Sequence, residues 1–190
     1  GLIDPTAITG ETALTATPAD TDEILISDAG TLKRIDYAEL RSSFGNVAFS
    51  ARLGSDLTLN DATTTDVVFD TEILDTNSAY NNSDGIFTVP VAGKYMFGVN
   101  LTYGDAEGNM SDMETTLSVA GTATTIHRGE STSNGTTFTK VSRGWTGIIA
   151  ALSVNDEIKV RANADTNNGT SSYVASNAYR SIFWGVIVLD

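Results

Sequence analysis

The 190-residue chain contains no cysteine and only one histidine, and both scarcities limit its chemistry. Without cysteine the protein has no disulfide-stapled scaffold, no thiolate metal site and no cysteine nucleophile. His127, the single histidine, argues against zinc catalysis and is the one imidazole available as a general base. No run approaches eighteen apolar residues, so no segment is expected to span a membrane as a helix.

Basic residues are also scarce. Eleven lysines and arginines face 24 acidic residues, which gives a net charge of −13 and a sequence pI near 4.2. Such a surface repels phosphate backbones and anionic lipid, so neither nucleic acid nor membrane insertion is expected. It suits a solvated exterior and can attract calcium. Because the chain begins at Gly1 rather than methionine, we expect a processed product or a fragment.

Residues 1–40 differ from the rest by holding eight acidic residues, two basic ones and two of the three prolines. Strands are predicted over Glu23–Ser27 and Thr31–Ile35, and Asp36–Leu40 reads as a helical turn with Asp36 as its N-cap. This segment has too few apolar side chains to form a core of its own. We therefore expect it to pack against other copies of itself.

Residues 47–190 read as entirely β, with short apolar runs separated by clusters of Asn, Asp and Gly that tolerate positive φ. About ten antiparallel strands in this length indicate a sandwich or jelly roll. The predicted strands are Val47–Leu53, Asp66–Asp70, Gly85–Val89, Gly93–Tyr103, Glu114–Val119, Thr136–Arg143, Trp145–Leu152, Glu157–Ala162 and Ser181–Leu189.

Strict alternation of apolar and small residues over Gly93–Tyr103 predicts a strand with one buried face. Aromatic residues that alternate inward in this and the neighbouring strands form the predicted core, and their role is structural. They are Phe69, Phe87, Tyr95, Phe97 and Phe183.

The order of five segments resembles the globular head of complement C1q, a member of the tumour-necrosis-factor-like superfamily. The segments are Phe49–Ala51, Val68–Asp70, Gly85–Phe97, Leu152–Val160 and Ser181–Leu189. The resemblance implies a trimeric jelly roll.

The sequence also departs from the C1q pattern at three points. Asn155 replaces the glycine of a Gly-Asp turn, Val186 replaces a terminal aromatic residue, and no collagen-like repeat is present. These departures do not threaten the fold, but they give no reason to expect antibody recognition.

Residues 1–40 resemble a connector of tailed-bacteriophage fibre proteins. The resemblance rests on the segments Ile8–Leu14, Asp22–Asp28, Leu32–Ile35 and Tyr37–Leu40. It implies a trimerising, extended stalk that joins other virion proteins. The expected organisation is a fibre connector over residues 1–46 followed by a jelly-roll knob over residues 47–190.

An acidic stretch from Asp105 to Glu114 places oxygen ligands on alternate residues, as a calcium loop would. Asp105, Glu107 and Asp112 are the candidate ligands, although the stretch is no EF-hand. The C1q resemblance implies trimers that often hold calcium near the three-fold axis. A solvated acidic loop without metal is the alternative, and no other cofactor is expected.

No catalytic residue is assigned, and the protein is expected not to be an enzyme. The cluster from His127 to Ser131 lies on a predicted turn, where successive side chains point apart, and no nucleophile elbow surrounds a serine. The many acidic residues leave open a pair of catalytic carboxylates like that of glycosidases, but no aromatic cluster surrounds such a pair.

On a rigid β scaffold, we expect polar loops rich in asparagine to recognise sugars or polar protein surfaces. The candidate contact residues are Asn81, Asn82, Asn109, Asn134, Asn167 and Asn168.

Together these features predict a non-enzymatic phage appendage protein on the virion surface. Its homotrimeric knob would bind a host-cell glycan or protein through multivalent contact. The alternatives are a structural head-fibre or capsid-decoration subunit, and a secreted bacterial C1q-like protein with a ligand-binding or enzymatic role.

Overall fold

The chain divides into two units, Gly1–Gly45 and Asn46–Asp190. The structure is a computed structural model that describes residues 12, 14–43, 46–130, 140–176 and 181–188. In the first unit, strands β1 (Glu23–Asp28) and β2 (Thr31–Asp36) form an antiparallel hairpin, and helix α1 (Tyr37–Ser43) follows directly. The two strands and the helical turn predicted for this segment are confirmed.

The hairpin closes at Ala29 and Gly30, both at positive φ, as a two-residue turn with the strand twist requires. Its leucines have no core to enter: Leu25 is 61% exposed and Leu32 57%. A lone two-stranded hairpin is only marginally stable in water. Among the described residues, no helix is long and apolar enough to cross a membrane.

The second unit is an antiparallel jelly-roll sandwich of two sheets, as predicted. Over the described residues, one sheet has seven strands in the order β4-β14-β9-β15-β3-β6, with β12 on the free edge of β9. The other has six, in the order β11-β10-β13-β8-β7, with β5 also paired to β13. The strands are β3 (Ala48–Arg52), β4 (Leu57–Leu59), β5 (Thr65–Asp66), β6 (Thr71–Asp75), β7 (Tyr80–Asn81), β8 (Ile86–Thr88), β9 (Gly93–Gly104), β10 (Met110–Val119), β11 (Thr122–Glu130), β12 (Lys140–Leu152), β13 (Glu157–Thr166), β14 (Ser172–Val174) and β15 (Ile182–Val188).

Strand β9 is the centre of the seven-stranded sheet. It bonds to β12 along one edge and to β15 and then β14 along the other. Its inward side chains, from Tyr95 to Tyr103 at every second residue, are at most 3% exposed. The Tyr103 hydroxyl lies 2.7 Å from the Glu114 carbonyl oxygen and 2.7 Å from the Thr115 hydroxyl on β10, so it ties the two sheets together.

Aromatic rings fill the space between the sheets. All five aromatic residues that alternation placed inside are fully buried: Phe69, Phe87, Tyr95, Phe97 and Phe183. Phe183 is in ring contact with four aromatic residues: its ring centroid lies 4.8 Å from that of Phe49, 5.8 Å from Phe69, 6.2 Å from Tyr80 and 6.0 Å from Phe97. Gly185, two residues on, lies under the rings of Phe49 and Phe97, where a Cβ atom would come within 2.6 Å.

Three strand predictions were wrong in detail. Asp66–Asp70 is not one strand, because the chain crosses here from the six-stranded sheet at β5 to the seven-stranded sheet at β6. The predicted break at Gly144 is absent, since this glycine pairs with Asn100 inside a continuous β12. The turn predicted around His127 is part of β11, whose polar inward side hid the alternation.

We predict that Phe183→Ala lowers the free energy of unfolding by about 3–5 kcal/mol, because it leaves a cavity in the middle of the aromatic cluster. Denaturant unfolding followed by tryptophan fluorescence measures the change. Val154→Ala is the matched control, because Val154 is 51% exposed and its truncation is expected to cost less than about 0.5 kcal/mol. Equal losses in the two variants would contradict this description of the core.

Candidate recognition surface

Three loops meet at one end of the sandwich. They are residues 60–64 between β4 and β5, residues 105–109 between β9 and β10, and residues 167–171 between β13 and β14. The Asn167 amide donates to the Asn109 carbonyl oxygen at 3.0 Å, and the Thr166 amide donates to Asp61 Oδ1 at 2.8 Å. Each loop is thus fixed to a neighbour by hydrogen bonds between residues distant in sequence.

Asp105 fixes the loop that follows β9. Asp105 is 2% exposed, and its carboxylate accepts hydrogen bonds from the backbone amides of Glu107 and Asn109. Gly108 at φ 72° completes the turn, a conformation that side chains with a Cβ disfavour. The carboxylate therefore replaces water for two amides that would otherwise lack partners.

Asp61 fixes the loop that follows β13. Its Oδ1 accepts from the Thr166 amide, and the Thr166 hydroxyl lies 2.8 Å from both Asp61 Oδ1 and the Thr170 carbonyl oxygen. The hydrogen bonds from the Thr166 hydroxyl and amide lower the pKa of Asp61, because they stabilise the charged form. Nothing in the local sequence pairs these two residues, which lie 105 positions apart.

The predicted contact asparagines at this end have different roles. The side chains of Asn109 and Asn168 both donate to Glu107 Oε2, at 3.2 and 2.9 Å, and so hold two loops together. Asn168 Oδ1 also accepts from the Thr170 hydroxyl at 2.7 Å. Asn167 is exposed beside them. The surface therefore presents an amide and a carboxylate on loops that are already ordered.

The remaining predicted contact residues lie elsewhere. Asn81 uses its side chain inside its own turn, where it bonds to Ser83 and Asp84. Asn82 is exposed at the same turn, which packs against residues 67–70 at the side of the sandwich. Asn134 lies outside the described residues.

The three candidate calcium ligands do not share one loop. Asp105 faces its own backbone amides, and Glu107 faces the two asparagine amides. Asp112 belongs to β10 rather than to the loop and pairs with Arg128, with 2.9 Å between Oδ2 and Nη2. No group of three or more acidic or histidine side chains in the described ranges is arranged to hold a metal. Calcium binding at these positions remains a prediction.

His127 and its neighbours do not form a catalytic cluster in the described strand. Alternation along β11 turns His127 toward the space between the sheets, whereas Arg128 reaches outward to Asp112. Burial, with a contribution from the charge of Arg143, lowers the pKa of His127. The histidine therefore faces the interior as a largely neutral group near neutral pH.

The outer face of the seven-stranded sheet carries an apolar row. Trp184 on β15 lies between Ser50 and Gly98 in the sheet register and covers Gly98 so closely that a Cβ there would come within 2.2 Å of the indole. Met96 and Val186, neighbours in the next row, are also half-buried, so apolar side chains line a face turned away from the core.

Comparison with known proteins agrees with this architecture. The model of the C1q domain family matches residues 48–188. The chain belongs to the C1q domain family. No curated protein matches it.

Solved structures share the fold of this C1q domain at low sequence identity. The globular domain of zebrafish complement 1qA protein is 15% identical, with a TM-score of 0.52, over 75% of this chain and 98% of that one. Murine APRIL is 15% identical, with a TM-score of 0.54, over 76% of this chain and all of that one. The tumour necrosis factor Eiger from S. frugiperda is 13% identical, with a TM-score of 0.54, over 76% of this chain and 94% of that one.

We predict that Asp61→Ala accelerates hydrogen exchange at the Thr166 amide, because the amide loses its carboxylate acceptor. Exchange followed by NMR measures the change, and Asp84→Ala, which removes a carboxylate from the separate Asn81 turn, serves as the control. Since the folded-state pKa of Asp61 is lowered, the contact persists above the ordinary value of 3.8 and weakens only as the pH falls through the lowered pKa. Unchanged exchange in Asp61→Ala would contradict the proposed fixing of this loop.

Proposed function

We propose that this protein is a non-enzymatic, trimeric recognition head of a bacteriophage appendage, which touches the host surface through the three-loop end of its C1q domain. The observation that carries the proposal is the polar end described above, where Glu107 and Asn167 stand exposed on loops fixed by buried or paired carboxylates. Preordered loops lose little conformational entropy on binding, and amide and carboxylate groups suit hydroxyl-rich ligands.

Family membership supports a binding role. Domains of the C1q and tumour-necrosis-factor-like kind are generally extracellular, non-enzymatic binding modules that form homotrimers. The buried tyrosines agree with a structural interior, because burial raises the pKa of Tyr80 and Tyr103 and keeps both hydroxyls protonated.

Two apolar surfaces support assembly into a trimer. One is the row on the outer sheet face around Trp184, and the other is the pair of exposed leucines on the β1–β2 hairpin. Each belongs to a different unit of the chain, so both the knob and the connector have a surface to bury against further copies.

Placement on a virion rests on the connector. The proposal is supported by a hairpin and a helix that lie within the segments resembling phage fibre connectors, and by the exposure of Leu25 and Leu32 on that hairpin. Such a segment suits a trimerising shaft that carries the knob away from the particle.

We predict that Trp184→Glu dissociates the trimer, because it places a charge in the apolar face that neighbouring copies would bury. Sedimentation velocity gives the mass of the variant. Val154→Glu adds the same charge at an exposed position on no apolar row and is expected to leave the trimer intact. A Trp184→Glu protein with wild-type mass would show that this face is not the interface.

We predict that Asn167→Ala reduces binding of the trimer to host cells by at least about tenfold, because three equivalent contacts are weakened together. Cell binding of labelled trimer is the measurement, and Asn82→Ala, at the side turn, is expected to bind as the wild type does. Equal binding by the two variants would move the recognition surface elsewhere.

The same experiment separates the alternatives. A wild-type trimer that binds no host cell while seated in particles would indicate a structural subunit. Turnover of a surface glycan would indicate an enzyme and contradict the proposal.

A further inference from the structure

The loop between β13 and β14 contains an Asn-Gly pair, Asn168 and Gly169, followed by Thr170. In such a pair the amide nitrogen of the glycine can attack the side-chain carbonyl carbon of the asparagine, because glycine has no side chain to block the approach. Asn168 and Gly169 are both exposed. Beyond its chain neighbours, a Cβ atom on Gly169 would meet only Asp61 Oδ2, at 4.0 Å, so the space around this peptide bond is open.

The side-chain oxygen of Asn168 is held by two donors on Thr170. Asn168 Oδ1 accepts from the Thr170 hydroxyl at 2.7 Å and from the Thr170 amide at 3.3 Å. Attack on the carbonyl carbon moves negative charge onto this oxygen, and donors that already point at it stabilise that charge. The Thr170 hydroxyl therefore polarises the Asn168 carbonyl group toward attack.

The other two reacting groups are also in place. The Gly169 amide donates to the Thr166 carbonyl oxygen at 3.3 Å, longer than the usual range for an N–H to oxygen bond, so the attacking nitrogen is weakly held. Asn168 Nδ2, the nitrogen that must leave, donates to Glu107 Oε2 at 2.9 Å. With Oδ1 bonded to Thr170 at the same time, the side-chain amide is held in one orientation.

We propose that Asn168 is a site of spontaneous deamidation. The Gly169 nitrogen forms a bond to Cγ of Asn168, the bond from Cγ to Nδ2 breaks, and the proton lost by Gly169 leaves with Nδ2 as ammonia. Water then opens the resulting succinimide ring at one of its two carbonyl groups, which gives aspartate or isoaspartate at position 168. The reaction needs only water, and the proposal does not depend on host recognition.

The product changes the contact that joins two of the end loops. Glu107 Oε2 accepts from the side chains of Asn168 and Asn109, at 2.9 and 3.2 Å. After deamidation the carboxylate at position 168 has no proton to donate, and at neutral pH it repels the carboxylate of Glu107. The bond from the Asn167 amide to the Asn109 carbonyl oxygen then holds the loops with less support, so we expect it to open more often.

Incubation of the purified full chain at mildly alkaline pH, followed by digestion and peptide mass spectrometry, measures deamidation at each asparagine. We expect Asn168 to convert faster than Asn109 and Asn167, which belong to the same loops but are not followed by glycine. Conversion of Asn168 no faster than these two neighbours would overturn the proposal.

Variants of Thr170 test the role of its hydroxyl. Thr170→Val is expected to slow the conversion of Asn168 by at least about threefold, because it removes one of the two donors to Oδ1. Thr170→Ser keeps the hydroxyl and is expected to convert as the wild type does. The chain has a second Asn-Gly-Thr sequence at Asn134, so Thr136→Val is the matched control and is expected to leave the rate at Asn168 unchanged. Equal rates at Asn168 in Thr170→Val and wild type would overturn the proposed activation.

Asn168→Asp reproduces one product and tests its consequence. We expect hydrogen exchange at the Asn167 amide, followed by NMR, to be at least about threefold faster than in the wild type. Adding Glu107→Gln to Asn168→Asp places an amide donor opposite the new carboxylate and is expected to restore wild-type exchange. Asn82→Asp adds the same charge at the side turn and is expected to have no effect.

Unchanged exchange at the Asn167 amide in Asn168→Asp would contradict the separation of the two loops. Binding to host cells is measured on the same samples. A chain that converts at Asn168 but binds no host cell would contradict the proposed recognition and leave the deamidation site in place.

Discussion

The whole C1q domain depends on the pairing of β9 with the strands on both of its edges. This single strand lines the core with alternate aromatic and aliphatic side chains, and through Tyr103 it is bonded to the opposite sheet. The C-terminal end of β9 and its outer side also set the positions of the candidate functional features. The loop after Gly104 joins the three-loop end, while the strand's outer side, at Gly98, supports Trp184.

The same construction explains how a stable sandwich can present several different surfaces. The carboxylates of Asp61 and Asp105 accept hydrogen bonds from backbone amides and so hold the end loops, whose exposed groups would need little reordering for the proposed recognition. The outer sheet face is apolar because small residues such as Gly98 and Ser50 leave room for the indole of Trp184.

Much of the fold could be predicted from the sequence because inward and outward side chains alternate along single strands. The strand from Gly93 and the inward aromatic residues follow a strict period of two, and the connector hairpin has a clear turn at Ala29 and Gly30. Strand β11 escaped prediction because its inward side carries threonine and His127, which erases the contrast between the two faces.

The candidate site was less predictable, since its decisive contacts join distant residues. The bond between Asp61 and Thr166 has no local signature, and neither does the gathering of Asn109 and Asn168 around one glutamate. Composition could say that asparagine-rich loops are exposed. Composition could not predict which asparagines hold the loops together and which one, Asn167, is exposed beside them.

The mass of the wild-type chain in solution, measured by light scattering, tests the trimeric head most directly. We expect about 60 kDa, three times the chain of 20.0 kDa. A stable monomer of 20.0 kDa would contradict the trimeric head, and multivalent recognition with it.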